Sequence, residues 1–227
     1  MKNIWVFGPS ICLPFNLKNK ELGWVNIISN ELNIPVKNYA GESSDNFFIY
    51  STICDHIKSF KKNDIIIVGW SHPSRKTFIY DNSNYKQKKA LDNSLLLKTK
   101  HNTYIRSGSP KKAESFHKWF SMKPRSKGIE YYDNWFKDYY NIQEQRINFQ
   151  SYLYATTHLL KNNFYFPFYF SKESVIDIDI SHKNNIGFVL DFIKKNKVSI
   201  SKEDAHLNEK GHILWAKKIL KKIKTAK

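Results

Sequence analysis

Hydrophobic positions along this chain come in two alternating rhythms. Ile4-Trp5-Val6-Phe7 is a short unbroken apolar run that stops at Gly8-Pro9, the pattern of a buried strand closed by a turn. Leu22, Val25, Ile28, Ser29 and Leu32 then recur at helical spacing, which predicts an amphipathic helix over about 21–32. Pro35 to Tyr39 reads as a second short strand, closed by Ala40-Gly41. Ser43 or Ser44 is placed to cap a helix running to about Phe60, with Phe47, Ile49, Tyr50, Ile53, Cys54 and Ile57 on its apolar side. Beyond Asn63-Asp64, the run Ile65-Ile66-Ile67-Val68-Gly69-Trp70 predicts a strand buried on both faces. Strand, helix, strand, helix, strand implies a parallel sheet with crossover helices.

The pattern dissolves between about Tyr80 and Gly128 into Lys, Asn and Ser, so this stretch is expected to be an insertion or cap, irregular except for a short helix near 113–120. Helical spacing returns from Glu130 to about Leu160. Its aromatic residues Tyr131, Tyr132, Trp135, Phe136, Tyr139 and Tyr140 suit either a core stripe or a sugar-binding face, core being the commoner use. Phe164 to Phe170 is strand-like, and Pro167 assigns it to an edge or a bulge. A short helix is expected over about 184–194, and a final one from His212 to about Ile223. The whole, 1–227, reads as one α/β domain.

At 227 residues, with 41% hydrophobic and 15% aromatic content, the chain can bury a sizeable core and is not disordered as a class. Its formal net charge of +17 raises nucleic acid or another polyanion as a partner. Lysine supplies most of that charge among many Asn and Ile residues, so a solvated basic surface is the favoured reading and nucleic acid is not. Cys12 and Cys54 form neither a disulfide framework nor a metal motif, and free thiols suit a reducing compartment. The N-terminus lacks a secretory signal and no apolar run has the length of a membrane span, so the cytoplasm is the expected location. His56, His101, His117 and His182 have no metal-ligand spacing, and neither metal nor cofactor is expected.

In such a sheet, functional groups gather beyond the carboxyl ends of the strands. Ser10 stands after the first strand, Gly41 after the second, Trp70-Ser71-His72 after the third, and Asp204-Ala205-His206 just before the last helix. A serine, a histidine and a carboxylate together offer nucleophilic catalysis, because a serine hydroxyl needs an imidazole to take its proton and the imidazole needs an orienting partner. Ser10 also suits a simple turn, Gly41 a tight turn and His206 the run-up to a helix cap.

These segments resemble the SGNH (GDSL-type) hydrolases, which are esterases, lipases, thioesterases and carbohydrate deacetylases on a three-layer flavodoxin-like α/β fold. Phe7-Gly8-Pro9-Ser10-Ile11-Cys12-Leu13-Pro14 is similar to the nucleophile block, and Asn38-Tyr39-Ala40-Gly41-Glu42-Ser43 to the second block. Val68-Gly69-Trp70-Ser71-His72 lies where the third block belongs, and Asp204 to His212 resembles the last. The resemblance spans nearly the whole chain except the insertion. It implies Ser10 as nucleophile, His206 as base, and an oxyanion hole from the N–H groups of Ser10 and Gly41 with help from Ser71.

Three departures stand out. Pro9 replaces the aspartate of Gly-Asp-Ser, a residue that is not the triad acid. Ser71 replaces the asparagine donor, and losing one such donor typically costs about 2.7–4 kcal/mol of transition-state stabilisation. The usual Asp-x-x-His spacing selects Glu203 as the acid. Asp204, two residues before His206 as in some polysaccharide O-acetyltransferase relatives, is preferred, with Glu203 as the alternative. Trp70, His72 and Arg75 are candidates for touching substrate, Arg75 being suited to a carboxylate or phosphate or else to a structural acid. The implied activity is hydrolysis or transfer of an acyl group on a carbohydrate or other small hydroxyl compound. The alternative is an inactive descendant of the fold that binds a glycan, nucleic acid or protein through its basic surface.

Overall fold

The computed structural model describes residues 2–42, 44–75, 78–79, 96–98, 103–105 and 141–226. Four strands form a wholly parallel sheet: β1 (Ile4–Phe7), β2 (Val36–Asn38), β3 (Ile65–Trp70) and, later in the chain, Phe164–Tyr169. Their order places β1 and β3 in the centre, flanked by β2 on one side and Phe164–Tyr169 on the other. The short segments β4 (Phe78–Ile79), β5 (Leu96–Lys98) and β6 (Thr103–Ile105) make a separate antiparallel sheet. The described parts of the insertion are therefore strands rather than irregular chain. The helix expected near 113–120 and the aromatic cluster between Tyr131 and Tyr140 lie outside the described residues. The strand Phe164–Tyr169 is β7.

Period-two alternation in β1, β3 and β7 sorts side chains onto two buried faces. Ile4, Val6, Ile65, Ile67, Phe166 and Phe168 face α1 (Trp24–Leu32), α4 (Val189–Asn196) and α5 (Glu209–Thr225). Trp5, Phe7, Ile66, Val68, Trp70, Tyr165 and Tyr169 face α2 (Asn46–His56) and α3 (Ile142–Leu159). This is the expected three-layer α/β architecture. At the amino end of the sheet, the buried Asp64 carboxylate accepts from Asn3 N–H (2.9 Å), Trp5 Nε1–H (2.8 Å) and Lys61 N–H (3.0 Å).

Pro167 lies where the sequence pattern put it. The Pro167 carbonyl accepts from Ile186 N–H on the outer side of β7, so its missing N–H also points outward and costs no bond to β3. Residues 186–188 run along this edge, with Gly187 accepting from Tyr169 N–H. Consequently α4 begins at Val189, five residues after the expected start, because the backbone before it is committed to β7. The cap of α2 also differs: Asp45, not Ser44, accepts from Phe48 N–H at 2.8 Å, and α2 ends at His56 in a single 3-10 turn over Ile57–Ser59.

Candidate active site

The turn after β1 is tightly packed against β3. A Cβ on Gly8 would lie 2.5 Å from Cys12 Sγ and 2.9 Å from the Gly69 carbonyl oxygen, so only glycine fits. Beyond it, Ser10–Cys12 forms one 3-10 turn, closed by Cys12 N–H to Pro9 O and Leu13 N–H to Ser10 O, each 2.9 Å. The first N–H groups of such a turn have no partner within it. Among the described residues, no acceptor takes the N–H of Ser10. Pro9 has no N–H of its own to satisfy, so it fits the N-cap in place of aspartate. Trp24 Nε1–H and Asn38 Nδ2–H each donate at 2.9 Å to the carbonyls of Ile11 and Cys12, tying the turn to α1 and β2.

The second group arrives from the far end of the chain. Ser201 Oγ accepts from the N–H groups of Glu203 (3.1 Å) and Asp204 (3.0 Å), and Asn208 caps α5 by accepting from Gly211 N–H. Between these two anchors the loop presents His206. Its Nδ1 lies 2.6 Å from Asp204 Oδ1, which also accepts the His206 backbone N–H at 2.9 Å. Its Nε2 lies 2.7 Å from Ser10 Oγ. The neutral tautomer consistent with both contacts donates Nδ1–H to the carboxylate and accepts the serine proton at Nε2. Partial burial pushes the Asp204 carboxyl up, but hydrogen bonds from the His206 backbone and ring, with the ring's charge, hold it below the usual range. Phe15, from the loop after the Ser10 turn, stacks on the imidazole with centroids 4.3 Å apart and planes at 21°.

Of the two candidate acids, only Asp204 reaches the imidazole. Glu203 is exposed and its carboxylate accepts from the Ser201 hydroxyl at 2.9 Å. Gly41 reaches the Ser10 turn, but its N–H donates to Gly8 O at 3.0 Å and is not free for an oxyanion, which departs from expectation. The cause is the Ser44 hydroxyl, 2.7 Å from Gly41 O and 3.1 Å from Gly8 O, which draws the two loops together. Ser71 is buried and its Oγ has no partner among the described residues. Its backbone is clamped at both polar groups by the buried Asn46, N–H to Oδ1 at 2.8 Å and Nδ2–H to O at 3.2 Å.

Trp70 is a core residue rather than a substrate contact. Strand alternation turns it toward α3, where it packs on Phe149 and donates to Tyr165 Oη at 3.0 Å. His72 is partly buried and accepts at Nδ1 from Ser74 N–H (3.1 Å); burial, then the charges of Arg75 and Arg146, push its pKa down to about 4. Arg75 is partly buried, its guanidinium 5.6 Å from the Phe170 ring. Sequence reading did not single out Asn46 and offered Ser44 only as a helix cap; the roles of both depend on contacts between loops. The signal for Asn38 was its place at the head of the second motif.

No family model matches the sequence, and no curated protein matches it either. The fold, in contrast, is shared with solved structures. The esterase EstA from Pseudoalteromonas sp. is 10% identical, with a TM-score of 0.52 over 99% of this chain and 98% of that one. TesA is 8% identical, with a TM-score of 0.53 over 99% of both chains. A lipase, Lip_vut3, from a goat rumen metagenome is 10% identical, with a TM-score of 0.50 over 98% and 97%. At these identities the likeness establishes a common fold, the flavodoxin-like α/β fold implied by the motif resemblance.

Proposed function

We propose that the chain is a serine-dependent ester hydrolase or acyl transferase of the SGNH type, acting on an O-acyl group of a carbohydrate or other small hydroxyl compound. The observation that supports it is the unbroken relay from Asp204 Oδ1 through His206 to Ser10 Oγ, at 2.6 and 2.7 Å. In this reading Ser10 Oγ attacks the ester carbonyl while His206 Nε2 accepts its proton, and Asp204 steadies the imidazolium that forms. The free Ser10 N–H and the unpartnered Ser71 hydroxyl serve the oxyanion. The Gly41 N–H joins them only if it exchanges its bond to Gly8. His206 then protonates the departing alcohol, and the acyl group passes from Ser10 to water or to a second hydroxyl.

The committed Gly41 N–H favours one second reading, a binding module on this fold with no turnover. Active-site labelling with a fluorophosphonate separates the two. Labelling that is lost in Ser10→Ala, is weakened in His206→Ala and accompanies acetyl-ester hydrolysis is the expected result. A folded wild type that neither labels nor turns over an ester would leave the binding module.

A further inference from the structure

The loop leaving β3 holds a cation, Arg75, that makes no salt bridge with a described carboxylate. Ser71 to Arg75 turns back on itself, with Arg75 N–H donating to His72 O at 3.1 Å, at the same end of the sheet as Ser10. Arg75 Nη1 is shielded from solvent and has no hydrogen-bond partner among the described residues, and the same is true of Nε of Arg146 on α3. The charges of both arginines act on the His72 ring, which lies edge-on to the same Phe170 that underlies Arg75. Asp45 is within electrostatic reach of Arg75 but caps α2, Glu173 is exposed, and neither arginine forms a salt bridge with a described carboxylate. His72 is neutral and adds no negative charge. A guanidinium with a buried, unanswered N–H is costly to keep unless a ligand supplies the acceptor.

We propose that Arg75, with Arg146 acting on the same His72 ring, binds an anionic group, carboxylate or phosphate, on the alcohol portion of the ester that Ser10 attacks. The proposal rests on the esterase reading for its ester and on the two arginines for its charge, and the two parts are separable by experiment. Three acetyl esters of a phenol serve as probes: methyl 4-acetoxybenzoate (neutral), 4-acetoxybenzoate (carboxylate) and 4-acetoxyphenyl phosphate. The wild type is expected to prefer an anionic ester, the carboxylate and phosphate arms naming which. Arg75→Gln and Arg146→Gln should each reduce the anionic-to-neutral ratio of kcat/KM by about 10- to 100-fold, the loss a charge-assisted hydrogen bond brings.

Binding is read separately in Ser10→Ala by calorimetry with 4-hydroxybenzoate and 4-hydroxyphenyl phosphate, and should weaken by a similar factor when Arg75→Gln is added. Arg75-dependent anion binding without ester turnover in the wild type would support the anion site and overturn the esterase reading. Ester turnover with no charge preference and no Arg75-dependent binding would overturn the anion site alone. Thermal melting of Arg75→Met guards against a purely structural role. Removing an unanswered buried cation should raise Tm, whereas a lowered Tm with unchanged anion binding would overturn the proposal.

Discussion

Asp204→Asn, set beside Glu203→Gln, is the sharpest test of the relay. Asp204 Oδ1 takes two hydrogen bonds from His206, one from Nδ1 at 2.6 Å and one from the backbone N–H at 2.9 Å. An asparagine oxygen keeps the backbone bond but removes the charge and lets the ring adopt either tautomer. Loss of a charge-assisted hydrogen bond, about 1.5–3 kcal/mol, sets a floor of about 10- to 150-fold in rate. A fully buried acid whose loss permits the wrong tautomer sets a ceiling of about 10⁴-fold. Here the His206 and Asp204 side chains are 27% and 30% exposed, so water replaces part of the lost charge. The expectation is a fall in kcat of about 10³-fold, between those limits. Glu203→Gln should change kcat by less than about twofold, since an exposed carboxylate bonded to Ser201 contributes little to the ring. The assay is acetyl-ester hydrolysis with fluorophosphonate labelling rate in parallel, after urea unfolding has shown that both variants are folded. A larger effect at Glu203 than at Asp204, or a loss below about 10-fold at Asp204, would refute the reasoning.

Two further outcomes are expected. Asp64→Ala leaves three donors at the amino end of the sheet without their acceptor and should cost about 3 kcal/mol or more by urea unfolding, while a loss under about 1 kcal/mol would mean water replaces the carboxylate freely. His212 is buried and accepts Trp24 N–H at Nδ1; burial, then the charge of His206, lowers its pKa from 6.5 to about 4. Since the folded value lies below the unfolded one, its contribution is present above pH 6.5 and is lost as pH falls toward 4, by about 3 kcal/mol. His72 shares that window, so His212→Gln should flatten the pH dependence of the urea midpoint in part, and an unchanged slope would count against the buried neutral ring.

Much of the fold was legible because the strong signals are local. The unbroken runs at Ile4–Phe7 and Ile65–Trp70 can be satisfied only by strands covered on both sides, and the helices between them force parallel pairing. Ser10, Asp204 and His206, which the structure brings together, were singled out through their resemblance to motif blocks in order and not by spacing alone, since the usual three-residue spacing selects Glu203. Contacts between loops were not. Whether Ser44 or Asp45 caps α2 depends on which side chain the neighbouring Gly8 and Gly41 carbonyls recruit. The fate of the Gly41 N–H turns on the same competition. Trp70 looked like a rim residue by its place at the strand end, yet the parity of β3 sends it inward. The start of α4 was missed because edge pairing with β7 overrides a helical pattern that begins earlier.

The bond between His206 and Ser10 joins positions 196 residues apart. All four strands of the parallel sheet have been synthesised by Tyr169, and the nucleophile turn precedes three of them. Domains generally begin to organise from the amino end during synthesis. While residues 170–205 are being added, the chain has its sheet segments and its serine but no base to activate that serine. Acquisition of reactivity toward a fluorophosphonate would then report the arrival of the loop that carries His206, a built-in clock for the joining of two distant segments.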